Sequence, residues 1–196
     1  MVDVANLALY KASSVQEARD ILFNYSPMIN PSYISLDDEH RVNIDSDIKL
    51  WKLSKNGHAH LPLWFGKVTG KFIAREFGLS SLEGSPYWVG NTCDVSGNKL
   101  TSLKGGPDYV GKDYFIYQNP LVDLDGLASQ IGNGILFTYT DKLPLLRTLV
   151  AKKIWPKIPY PELEKILNKY AGKGRREMFW CQKDLEDAGF EENARW

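Results

Sequence analysis

Between Leu82 and Gly132 the chain repeats itself every 21 residues, and no other feature narrows its fold as much. Leu82, Gly84, Pro86, Val89 and Gly90 recur as Leu103, Gly105, Pro107, Val110 and Gly111. Val95, Asn98 and Leu100 recur as Ile116, Asn119 and Leu121, and a further step gives Leu124, Gly126, Ile131 and Gly132. A unit this short cannot bury its apolar face alone, so its copies must stack and share one continuous core. Asn98 and Asn119 fall where the chain leaves a strand and turns. There an inward amide can bond backbone groups that no sheet partner reaches, and stacked units give an asparagine ladder. The Leu-x-x-Leu-x-Gly-x-Pro segment reads as an extended return path, because Gly and Pro exclude helix.

A period of this length lies in the leucine-rich-repeat range, with one strand per unit. The segment Leu100–Leu121, LTSLKGGPDYVGKDYFIYQNPL, resembles the repeats of leucine-rich-repeat proteins encoded by tailed bacteriophages. Those repeats carry tandem Leu-Thr-Ser-Leu-x-Gly-x-Pro and Val-Gly-x-x-Phe units. The resemblance covers roughly residues 40–140, and the closing run Ala188 to Trp196 is similar to the tail of such proteins. It implies a solenoid fold and a viral setting, and it carries no catalytic residue across.

Irregular copies flank the clear ones, as expected of terminal repeats that close an exposed core. Upstream, Gly70 to Ala74 leads into Leu79–Leu82, and Glu76 or Phe77 stands where Asn belongs, so the ladder should fail there. Val42, Ile44, Ile48 and Leu50 alternate with polar residues and read as a first strand or hairpin. Downstream, Ile135 and Phe137 take inward strand positions, and Thr140 stands in the place of Asn. Ser14 to Glu17 forms a capping-box pattern ahead of an amphipathic helix over 14–25. Helices are expected from Pro144, from Pro161 to a stop at Gly172, and from Arg175 to Ala188. The reading is α+β: an N-terminal helical cap (1–40), a short leucine-rich-repeat solenoid with a parallel sheet (41–140) and a C-terminal helical cap (141–196).

Composition excludes little but bounds the function. The 24 basic and 24 acidic residues cancel, which argues against a whole-protein nucleic-acid or membrane field. Two cysteines, Cys93 and Cys181, read as buried reduced thiols. With no signal-type opening and no membrane-length apolar run, a reducing cytoplasm is expected, the host's if the chain is phage-encoded.

On the concave sheet, alternation turns Thr92, Asp94 and Ser96 outward, then Asp113, Phe115 and Tyr117, then Gly134, Leu136 and Thr138. Lys71, Ile73 and Arg75 lie beside them, with Asp47, Lys49 and Trp51 beyond. Phe115, Tyr117, Leu136, Arg75, Asp94 and Asp113 are thus the candidate partner-binding residues, since aromatics clustered on a rigid sheet are typical interface anchors. The expected function is binding of a protein, of the host or the phage, rather than catalysis.

The alternative is nucleic-acid association through the basic stretch Lys152–Arg176, with eight basic residues against two acidic. Its run Lys173, Arg175 and Arg176 offers cations to a phosphate but lacks P-loop spacing. An enzyme comes third: Asp94 and Asp113 could form a carboxylate pair, although repeat proteins place acids on sheet faces routinely. His58 and His60 lack further ligands at a recognised spacing and, with Lys55 to Gly57, read as a surface loop. No metal or cofactor is expected.

Overall fold

A computed structural model describes residues 9–51, 57–157 and 160–195, and the side chain of Arg175 lies outside that description. Lys55, Asn56 and Trp196 fall outside the described residues. The chain forms a parallel β-solenoid whose turns each give one short strand to each of two sheets, where the sequence had suggested a single strand per unit. Five turns carry the strand pairs β2 (Val42–Ile44) and β3 (Ile48–Lys49), β4 (Phe65–Val68) and β5 (Phe72–Ile73), and β6 (Trp88–Val89) and β7 (Cys93–Asp94). The series continues with β8 (Tyr109–Val110) and β9 (Tyr114–Phe115), then β10 (Gln130–Ile131) and β11 (Gly134–Thr138). Sheet 1 runs β1-β2-β4-β6-β8-β10, where β1 (Ile34–Leu36) is an antiparallel edge. Sheet 2 runs β3-β5-β7-β9-β11 and ends on β12 (Lys153–Lys157).

Most of these strands are only two residues long, so sheet bonding alone leaves many corner amides unserved. Asn98 supplies them on one corner: its Oδ1 accepts from Gly78 N at 2.7 Å and Leu79 N at 3.0 Å. Its Nδ2 donates to Ala74 O at 2.9 Å and Val95 O at 2.8 Å. One turn later Asn119 accepts from Leu100 N at 3.1 Å and donates to Val95 O and Ile116 O, each at 3.0 Å. Both side chains are 6 % exposed. The ladder therefore bonds each corner to the preceding turn, not merely to its own loop. At the opposite corner Gly90, Gly111 and Gly132 stack so closely that a Cβ on Gly111 would overlap the carbonyl oxygen of Gly90, and one on Gly132 that of Gly111.

Three apolar rows fill the interior: Leu82, Leu103 and Leu124 from the return path, Val89, Val110 and Ile131 from sheet 1, and Cys93, Tyr114 and Ile135 from sheet 2. The third row is uneven, and its neighbours compensate. The large Tyr114 lies across from Gly106, where a Cβ would stand 3.1 Å from the phenol oxygen. Both thiols are sealed. Burial pushes Cys93 far up and Cys181 up to about 12, so neither is a nucleophile at neutral pH.

The first end is closed by α1 (Val15–Tyr25), capped by Ser14 Oγ and burying Ala18, Ile21, Leu22 and Tyr25. Phe77 takes the place that Asn holds in later turns, and its ring packs against Tyr25 and His58, with centroids 5.9 and 4.9 Å away. His58 is thus half-buried against the cap and His60 is also half-buried, and burial lowers the pKa of His58.

The other end differs from the sequence reading. Pro144 opens no α-helix. Leu145–Val150 is one short 3-10 helix in which Thr148 Oγ1 bonds back to Leu145 O at 2.6 Å. Lys152 and Lys153 then donate to Asn133 O, which returns the chain to sheet 2 as β12. Pro156 conceals this strand in the sequence, because proline is tolerated only on an edge. It suits the edge here: Asn168, on α2 (Pro161–Tyr170), bonds Ile154 N at 2.9 Å and Ile154 O at 2.7 Å, and Pro156 has no amide to leave open. The last helix, α3 (Arg175–Asp187), precedes a tail whose Asn193 donates to Thr140 O at 3.1 Å and Leu143 O at 2.9 Å. The tail thereby serves the corner where Thr140 replaces the repeat asparagine.

Asn98→Ala and Asn119→Ala should each cost about 1–3 kcal/mol in denaturant unfolding, with Asn98→Ala the larger because two amides lose their acceptor. Negligible losses in both variants would mean that the ladder does not hold the turns together.

Candidate functional site

Parallel pairing aligns one outward residue per strand along sheet 2. Lys49 pairs with Ile73, Ile73 with Asp94, Asp94 with Phe115, Phe115 with Leu136 and Leu136 with Trp155. The result is a stripe perpendicular to the strands. Its apolar members Ile73, Phe115, Leu136 and Trp155 are half-buried rather than sealed in the core. At about 4.8 Å per strand, Ile73 to Trp155 spans about 19 Å. Phe115 and Leu136 therefore stand side by side, as the sequence suggested. Trp155 was missed because β12 was missed. The alternation Lys153, Trp155, Lys157 was its signal, interrupted by Pro156.

Tyr117 does not belong to this exposed stripe. Ladder bonding runs on past Phe115, with Ile116 N donating to Leu136 O and Tyr117 O accepting from Gly97 N, but Tyr117 is covered and only 9 % exposed. Its ring lies between two cations, Arg75 at 5.6 Å and Lys157 at 4.3 Å from the centroid. Ser96, expected outward, is likewise fully buried. Gly134 lies beneath Trp155, whose ring leaves no room for a Cβ.

The carboxylates serve the fold. Asp94 accepts from Ser96 N at 3.0 Å, and Asp113 from Asn133 Nδ2 at 2.6 Å and Gly134 N at 3.2 Å. Asp47 does the same for Lys71 N at 2.7 Å. Asp94 faces Phe115 in register, so Asp113 sits diagonally from it. The cations are freer. Arg75 pairs with the exposed Glu76 at 3.2 Å, Lys49 sits 3.8 Å from the Trp51 ring centroid, and Lys71, Lys153 and Lys157 are exposed.

The basic C-terminal stretch is dispersed rather than gathered on helices. Lys153 and Lys157 lie on β12, and Lys169 is held by Asp184 at 2.7 Å. Lys173 and Arg176 are exposed around the start of α3, whose N-cap Gly174 provides no side-chain bond; the side chain of Arg175 lies outside the described residues. A cavity of about 440 Å³ opens nearby between Leu146, Leu149, Val150 and Met178. Its lining cation, Arg147, is taken by Asp125 at 2.6 Å. Sheet 1 offers a closed stack: Lys67 over Trp88, and Trp88 on Tyr109 with centroids 5.3 Å apart and planes 6° from parallel. Among the described residues no group of metal-ligating side chains gathers, and no helix is long and apolar enough to cross a membrane.

Tyr117→Ala should lower stability by about 3 kcal/mol, since it empties a buried site and frees two cations from one ring. Phe115→Ala should cost under about 1 kcal/mol, the range of half-exposed cross-strand contacts. Comparable melting losses for the two variants would contradict this division of the face.

With that geometry in place, the fold and its exposed stripe are what the chain offers for a functional reading: no protein-family model, no curated protein and no solved structure matches it.

Proposed function

We propose that the chain is a protein-binding module that docks its partner on the outer face of sheet 2. The observation that supports this reading is the unbroken hydrogen-bonded register that lines up Ile73, Phe115, Leu136 and Trp155, half-exposed on a rigid sheet. Exposed apolar rows of this kind are costly in water unless something docks on them. A preformed face also loses little conformational entropy on binding, so a modest number of anchors is enough for affinity. The buried thiols and the backbone-engaged Asp94 and Asp113 supply no activated nucleophile or acid–base pair, which favours binding over catalysis. The resemblance of the repeats to those of phage leucine-rich-repeat proteins makes a host or phage protein the partner class.

The test compares the tagged protein with its Phe115→Ala/Leu136→Ala variant in capture from nuclease-treated lysate of infected cells. Each anchor is worth about 2 kcal/mol, roughly thirtyfold, so the pair should reduce capture of the same protein band by roughly several hundredfold with nearly unchanged melting. Lys173→Glu/Arg176→Glu should capture it normally. Loss of binding in the charge-reversed protein alone, or only after nuclease, would favour nucleic-acid association instead.

A further inference from the structure

We infer that the partner presents an amphipathic α-helix flanked by acidic residues, laid along the stripe and across the strands; this rests on the docking face proposed above.

Spacing selects the helix. Stripe residues recur about every 4.8 Å, the strand separation. One apolar face of an α-helix recurs about every 5.4 Å, one turn. Over the four intervals from Ile73 to Trp155 the two repeats drift apart by only about 2.4 Å, less than half a turn. An extended segment repeats on one face about every 6.6 Å and is out of step after two strands. The stripe also has the right width. The flanking outward rows stand two residues away along each strand, about 6.6 Å to either side, which matches the flanks of a helix about 10 Å across.

Charge selects the flanks. One flanking row holds Arg75 and Lys157, the other Lys71 and Lys153, and Lys49 stands at the end of the stripe. Among the described residues no acidic side chain forms an ion pair with Lys49, Lys71, Lys153 or Lys157. The carboxylates on this face are Asp47, Asp94 and Asp113, each of which accepts backbone or ladder hydrogen bonds, and Glu76, which pairs with Arg75. Lys71 and Lys153 thus border the stripe on one side and Lys157 on the other without an ion-pair partner, while Arg75 is paired with Glu76 at 3.2 Å, and Tyr117 holds Arg75 and Lys157 on that side. Glutamates beside the apolar face of a docked helix would meet them, while a basic helix would be repelled. Asp94 breaks the apolar run between Ile73 and Phe115, and the partner needs a polar or basic residue at that one point.

The experiment uses fluorescein-labelled peptides of about fourteen residues, the length that covers the stripe as a helix. One carries leucine at every third or fourth position with glutamate on both flanks, a second has lysine in place of glutamate, and a third keeps the glutamates but has two central prolines. Anisotropy titrations against the full chain should show the glutamate helix binding at least tenfold tighter than either control, with affinity falling as salt rises. Lys71→Glu/Lys153→Glu, checked for unchanged melting, should reverse the preference toward the lysine peptide. Equal binding of the lysine or the proline peptide, or no binding of any peptide, overturns the acidic helix. If Phe115→Ala/Leu136→Ala then weakens whichever peptides bind, the docking face survives that failure. If the glutamate helix binds this variant as it binds the wild type, the face itself is wrong.

Discussion

Every turn of this molecule depends on finding partners for backbone groups at corners where there is almost no sheet. Strands of two residues bond only briefly, and buried amides without partners would each cost more than a single hydrogen bond returns. The chain meets this with side chains that imitate backbone. Asn98 and Asn119 each donate and accept across turns from within the core. Asn43 and Asp47 serve Lys67 N and Lys71 N in the wider first turn, where partners are 24 residues apart instead of 21. Asp113 does so for Gly134. These short amide and carboxylate groups recur because a corner has room for little else. The glycine corner solves the same problem oppositely, by removing the side chain so that backbones touch.

A stack held this way has no intrinsic stopping point, and its two ends are closed by different means. At the first, the ladder position becomes Phe77, and bonding gives way to a ring cluster roofed by α1. At the last, polar side chains from later in the chain take over: Asn193 reaches the corner at Thr140, and Asn168 occupies the free edge of β12 beside Pro156. A proline and an amide that satisfies the adjacent backbone block the β12 edge of sheet 2 against a further strand.

The sequence revealed those parts of this design that repeat. The 21-residue period, the buried asparagines and α1 were legible because each is carried by residues at fixed spacing or by a cap. The second sheet was not, since a strand as short as Trp88–Val89 shows no alternation to read. Strand β12 was hidden by Pro156, and the 3-10 helix before it read as α-helical because Leu146 and Leu149, three apart, share a face in either helix. Of the candidate face, Phe115 and Leu136 were placed correctly by alternation. Alternation did not reveal that Tyr117 is covered by Arg75 and Lys157; Gln118, with φ of 55°, marks where the extended backbone gives out.

That cover explains how the face is built. The cations laid on its ring keep Tyr117 from being one more anchor and put it at the boundary between core and surface. There it touches Arg75, from the second turn, and Lys157, from the final strand. The buried ring therefore fixes two cations that come from distant parts of the chain, and the border of the stripe depends on the solenoid being stacked and closed. The apolar residues of the stripe carry no such duty, because each points outward from a strand whose inward neighbours, such as Tyr114 and Ile135, already fill the core. Stability and recognition thus fall on different residues of the same strands, and Tyr117 is where the two meet.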